Sequence, residues 1–169
     1  MKNTSRKIVS THDLFPIISE SLRSGQKVKF TVSGTSMLPW IAHNRDQVLL
    51  ASTDNKRLKP GDIILFQNES SKYILHRIYR KEAGGYLTVG DACLCGDGLV
   101  LPSEIIGVVE KIYRKGKIMD CNSIIWRSVF SVWRWMLPIR EHLLKIYFVL
   151  VRLKNGIKNK RNYIGVNHG

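Results

Sequence analysis

The sequence predicts a mainly β fold, an antiparallel sheet or barrel with a short helix before it and an amphipathic helical tail after it. Three observations carry that prediction. Between Lys27 and about Gly116, short β-prone runs alternate with Gly, Pro, Asn and Asp, and no long helix intervenes. Ahead of them, residues 11–24 repeat apolar side chains at helical spacing, and after Asp120 the helical period returns. The chain has 169 residues, 44% hydrophobic and 24% charged, which suffices for one compact domain with a core and an appendage. That composition excludes collagen-like, wholly disordered and disulfide-stapled classes.

Taken in order, residues 1–24 form an N-terminal helical segment. Thr11 or Asp13 is the cap candidate, and Leu14, Ile17, Ile18 and Leu22 share a face until Ser24-Gly25 stops the helix. Residues 25–120 form the β domain. Its expected strands are Val28–Val32, Gln47–Ser52, Asp62–Gln67, Tyr73–Tyr79, Tyr86–Val89 and Ile105–Tyr113. Pro60-Gly61-Asp62 turns the chain into Ile63–Phe66, an apolar run suited to a central strand. Residues 121–153 form an amphipathic segment. Arg127, Arg134, Glu141, Lys145 and Arg152 fall on one narrow stripe with Arg140 beside it, and the rest of the circumference is apolar. Pro138 splits this segment into two helices. Residues 154–169, basic and rich in Asn and Gly, are expected to be a disordered tail.

The charge is uneven. There are 27 Lys and Arg against 13 Asp and Glu, a net of +14, and the stretch from Ser123 onward holds nine basic residues to one acid, Glu141. Such a field attracts an anionic partner, nucleic acid or a membrane surface. No run reaches the roughly 18–20 apolar residues of a membrane span, and Met1–Arg23 lacks the apolar stretch of a secretory signal. Cys93, Cys95 and Cys121 are odd in number and lack zinc-knuckle or thioredoxin spacing. They read as reduced thiols of a protein kept inside the cell. No metal or organic cofactor is implied, since no cluster has ligand spacing.

Three stretches carry groups fit for chemistry. Gly34-Thr35-Ser36-Met37-Leu38-Pro39 follows a strand and is able to present Ser36 beside backbone N–H groups, as an acyl-transfer nucleophile requires; a surface serine in a hairpin turn fits the same residues. A serine needs a base. Of the five histidines, only His76 sits in an apolar strand, where a structural histidine is the plain alternative. An orienting carboxylate is available from Asp91 or Asp97, each equally a turn former.

Gly34–Pro39, Pro60-Gly61-Asp62-Ile63-Ile64-Leu65-Phe66, Leu75-His76-Arg77-Ile78 and Thr88-Val89-Gly90-Asp91 together resemble the four ordered boxes of the type I signal peptidases, over residues 25 to 113. That family shares its β fold with the LexA-type self-cleaving repressors. Most bacterial members carry a lysine base before the arginine of the third box; His76 here resembles the archaeal, endoplasmic-reticulum and sporulation-type branch. The resemblance implies Ser36 as nucleophile, His76 as general base and then acid, and Asp97 as the orienting carboxylate, with Asp91 as second candidate. It implies the Ser36 N–H in the oxyanion hole. Many relatives place a serine donor where this chain has Gly34, and losing one donor costs roughly 10²–10³ in rate. The resemblance further implies that substrate adds as a strand at a sheet edge, with shallow pockets for small side chains.

These readings lead to a serine endopeptidase that cleaves the leader or signal segment of an exported or modified peptide through an acyl-enzyme. The family's N-terminal membrane anchor is not expected, because the chain starts too close to the Ser36 box. Residues 123–153, with Trp126, Trp133, Trp135 and Tyr147 among Arg and Lys, are expected instead to hold the protein peripherally on the membrane from the cytoplasmic side, or to dock an export-system partner. Two alternatives stand beside this: a LexA-like regulator binding nucleic acid through the basic surface, or a catalytically silent scaffold of the same fold. Against nucleic acid, residues 1–24 are too short for a helix-turn-helix and the tail arginines are spread among Trp and Leu.

Overall fold

The computed structural model describes residues 11–164 except 55, 137 and 138, with side chains described over 15–153. Helix α1 (Thr11–Arg23) precedes eight strands: β1 (Val28–Thr31), β2 (Gln47–Ala51), β3 (Ile63–Gln67), β4 (Tyr73–Glu82), β5 (Gly85–Val89), β6 (Gly96–Val100), β7 (Ile105–Arg114) and β8 (Lys117–Asp120). Two helices follow, α2 (Ile124–Trp135) and α3 (Arg140–Ile164). The protein is thus mainly antiparallel β, as the alternation of short runs and turn residues predicts.

All strand pairs are antiparallel, in the order β1-β2-β7-β3-β4-β5-β6, with β8 folding back on β7. The long β7 is the hub: Val108 pairs with both Ala51 of β2 and Ile64 of β3. Beside it, β3 is buried along both faces, because its consecutive apolar residues alternate between two cores. Ile63 and Leu65 join the larger core with α1, β1, β2 and Phe130 of α2, while Ile64 and Phe66 join a smaller one with Leu58, Ile78, Val100 and Val108.

The six expected strands form within a few residues of their expected ends. Two others were not expected. β6 begins Gly96-Asp97-Gly98, which reads as a turn, and it is held as a strand by pairing with β5. β8 is the return arm of a hairpin whose two-residue turn, Lys115-Gly116, has positive φ at both positions, the geometry that matches the strands' twist. In α1 the buried face is Phe15, Ile18 and Leu22, whereas Ile17, expected inward, is 60% exposed; the side chain of Leu14 lies outside those described. Phe15 takes the inward place because it stacks on Tyr73 at 3.9 Å and meets Phe30 edge-on at 6.4 Å.

The helical tail breaks between Trp135 and Arg140, where Pro138 predicts a split, although Pro138 itself lies outside the described residues. α3 runs on to Ile164, so most of the expected disordered tail is helix; residues 165–169 are not described. The physical reason is that elongating an existing helix requires no new nucleus. No helix among the described residues is long and apolar enough to cross a membrane.

The close crossing of α1 over the sheet depends on Gly107 in β7. A Cβ there would sit 2.9 Å from the Ala51 carbonyl oxygen, from Leu22 Cδ1 and from Leu50 Cγ. Gly107→Ala is therefore expected to lower the unfolding free energy by about 1–3 kcal/mol, read as an earlier denaturant midpoint at unchanged m-value.

Candidate active site

The β4 strand sets the site by simple alternation. Ile63 pairs with Arg77 and Ile64 with His76, so the two neighbouring polar residues point to opposite faces of the sheet. Both are buried. Each needs a partner, because an unpaired polar group in the interior is costly.

His76 finds Asp97. Its Nδ1 lies 2.6 Å from Asp97 Oδ2, and the Thr88 hydroxyl donates to the same oxygen at 2.7 Å. β6 exists in order to bring that carboxylate over: Val89 pairs with Gly96 one residue before it. The other ring nitrogen turns toward the Ser36 loop. His76 Nε2, the Ser36 carbonyl oxygen and Cys93 Sγ stand 2.9, 2.8 and 2.7 Å from the point where a Cβ on Gly90 would be. Only glycine leaves room there, between the imidazole and the Ser36 backbone. Ser36 and His76 both line one cleft of about 210 Å³, between the loop from Val32 to Met37 and the β4 residues Tyr73 to His76.

Arg77 takes Asp91. Its Nε and Nη2 donate to the two carboxylate oxygens at 2.9 and 2.7 Å, and Nη1 donates to the Gly61 carbonyl at 2.8 Å. The side chains are 3% and 1% exposed, and the guanidinium lies over the Phe130 ring at 4.0 Å. Asp91, kept in the sequence reading as a second candidate for orienting the histidine, is thus spent on Arg77 on the other face, and Asp97 alone of the two bonds to His76. The loop after Asp91 then reaches the serine, where the Ala92 N–H donates to the Ser36 carbonyl at 2.7 Å.

The serine loop is anchored from behind by Asp46. This buried carboxylate accepts from the Ala42 N–H at 2.9 Å and from Arg45 Nε and Nη2 at 2.7 Å each, while its own carbonyl accepts from Val32 N–H. Burial alone would raise its pKa; the Arg45 and Ala42 hydrogen bonds, with Arg114 nearby, overcome that and hold it below the ordinary carboxylate value. Gly34 adopts φ of 101°, a left-handed conformation that glycine takes without strain, and its N–H donates to His43 Nδ1 at 2.9 Å. His43, read from sequence only as a loop residue, is therefore a brace of this turn.

Arg140, which the sequence marks only as a flanker of the charged stripe, is a contact of the site: it is 2% exposed. Its Nη1 donates to the carbonyls of Gly90 and Cys93 at 3.2 and 3.5 Å, and Nη2 to Trp133 at 3.4 Å. Burial pulls its pKa down from the ordinary arginine value, against the opposing charge of Asp91. The α2 arginines turn inward as well: Arg127 pairs with Asp62 at 2.9 Å and Arg134 donates to the Tyr79 carbonyl at 2.7 Å.

Neither Cys93 nor Cys121 is an activated thiol. Burial pushes Cys121 up to about 12 and, with the Asp97 charge, raises Cys93. All three are free. Among the described residues no group of three or more His, Cys, Asp and Glu converges as metal ligands. A larger groove of about 490 Å³, lined by Ser19, Arg23, Asp54, Asn68 and Glu104, lies apart from the histidine. Chemically, the arrangement is an imidazole oriented by a carboxylate on one nitrogen and facing a serine loop with the other. No family model matches this chain, and no curated protein matches it either.

Two outcomes follow from these anchors. Asp91→Asn leaves Arg77 buried without its countercharge and is expected to cost about 3–5 kcal/mol of stability, whereas Asp97→Asn, in a more exposed position, costs less; urea unfolding compares them. Because the Asp46 pKa is depressed in the folded state, its stabilisation is present above the ordinary carboxylate value and is lost as pH falls through the depressed one. Asp46→Asn is expected to be less stable at neutral pH but to lose less on acidification below about pH 4, followed by circular dichroism.

Proposed function

We propose that this protein is a serine endopeptidase in which Ser36 attacks the peptide carbonyl and His76, oriented by Asp97, takes the serine proton. The observation that carries the proposal is the 2.6 Å bond from His76 Nδ1 to Asp97 in a residue that lines one cleft together with Ser36. In that tautomer Nδ1 donates to the carboxylate and Nε2 is the base. The carboxylate then stabilises the imidazolium formed on attack.

The steps follow in order. The Ser36 oxygen forms a bond to the carbonyl carbon as its proton passes to Nε2. The tetrahedral oxyanion is met by the Ser36 N–H. His76 returns its proton to the departing amine, leaving an acyl-enzyme on Ser36, and a water activated by the same nitrogen releases the acid and restores the serine. The substrate class is an extended leader or signal segment with small residues near the scissile bond. Supporting that choice, the cleft runs beside the Tyr73–His76 stretch of β4, and its walls are Val32, Met37, Ile74 and Leu75. Such a groove suits a peptide in strand conformation.

The test is cleavage of leader-like peptides by purified protein, read by mass spectrometry. Ser36→Ala and His76→Ala are expected to abolish cleavage, and Asp97→Asn to lower kcat by about 10⁴ while retaining most of the stability. Cleavage undiminished in Ser36→Ala or His76→Ala would overturn the mechanism.

A further inference from the structure

We propose that α2 and α3 seat this protein in the headgroup layer of an anionic bilayer, through the uncharged outward face of α2 and an apolar stripe along α3. The inference is independent of the peptidase reading and rests on an outer face without charge. On an ordinary surface helix the charges face water and the apolar residues face the core. α2 does pack Trp126, Val129 and Phe130 on the core, but its arginines are also turned to the body, onto Asp62 and the Tyr79 carbonyl, and the outward positions are Ile124, Ile125, Ser128, Ser131, Val132 and Trp135. None of these is charged. Trp135 is 83% and Ile124 84% exposed.

α3 continues the pattern. Ile146, Val149, Leu150 and Leu153 recur at intervals of three, one and three, so they share one face, and each is more than half exposed. Glu141, Lys145 and Arg152 fall on the flank between this face and the side that carries the buried Arg140 and Leu144. Beyond Leu153 the sequence adds Lys154, Lys158, Lys160 and Arg161 and no acid. An exposed apolar stripe flanked by cations is the pattern of a helix lying in a membrane interface, with the tryptophan at headgroup depth. Positive charge chooses the occupant: an anionic lipid surface complements both features.

The full chain is floated with vesicles of phosphatidylcholine alone and of equal parts phosphatidylcholine and phosphatidylglycerol. Binding is expected to favour the anionic vesicles by about tenfold or more. The tryptophan emission should shift to the blue on binding, and Trp135→Phe should remove that shift, because Trp40, Trp126 and Trp133 are already half-buried. Leu150→Asp together with Leu153→Asp, at exposed positions that leave the core intact, should lower binding about tenfold. The proposal is overturned by no flotation with anionic vesicles, by full binding of the double variant, or by binding that high salt removes with no change in Trp135 emission. A lipid-free dimer in sedimentation that the double variant abolishes also overturns it, and assigns the face to a second copy of the chain.

Discussion

The arrangement depends on one buried ion pair. Arg77 and Asp91 meet through two hydrogen bonds almost out of contact with water, and the third guanidinium arm holds the Gly61 carbonyl. Such a pair is no great source of net stability, since desolvating both charges offsets much of their attraction. Its consequence is geometric. It ties β4 to the turn before β3 and to the Gly90–Cys93 loop, and that loop in turn holds the Ser36 carbonyl through Ala92. Because Arg77 follows His76 directly, satisfying the arginine on one face leaves the histidine on the other face to be satisfied by Asp97.

The helical tail obeys the same requirement. Buried or half-buried carbonyls and a carboxylate at Tyr79, Gly90, Cys93 and Asp62 need donors, and the tail supplies arginines to all four places. Trp40, from the end of the serine loop, is packed edge-on by Trp126, Phe130 and Trp133, with ring centroids 5.6 to 6.2 Å away. The tail is therefore part of the body that holds the site, joined to it by polar bonds and aromatic packing together. The consequence on α2 is an outer face without charges, since its arginines are turned to the body.

How much of this was legible beforehand differs from residue to residue. The strand Ile63–Phe66 was readable because an apolar run with burial on both faces has no other stable place in a sheet. Ser36 and His76 were readable as candidates because their neighbours mark a turn and an alternating strand. The choice between Asp91 and Asp97 was open, since each lies among glycines and small residues typical of turns. It was decided by register: Arg77 claims the first acid across one face, and β6 carries the second to the other. The inward position of Arg140 was not legible, because helical spacing says which residues share a stripe and not which side of the helix meets the protein.

The sequence by itself determined the local elements: the mainly β class, most strand limits, the short first helix, the break near Pro138 and the residue types able to do acyl transfer. Those follow from short-range periodicity and turn chemistry, which act over a few residues. Tertiary structure alone decided which acid meets which base, that β6 is a strand, and that the arginine stripe of α2 faces inward. Those outcomes depend on pairing between segments far apart in the chain, where the need to satisfy each buried polar group selects among partners that look equivalent locally.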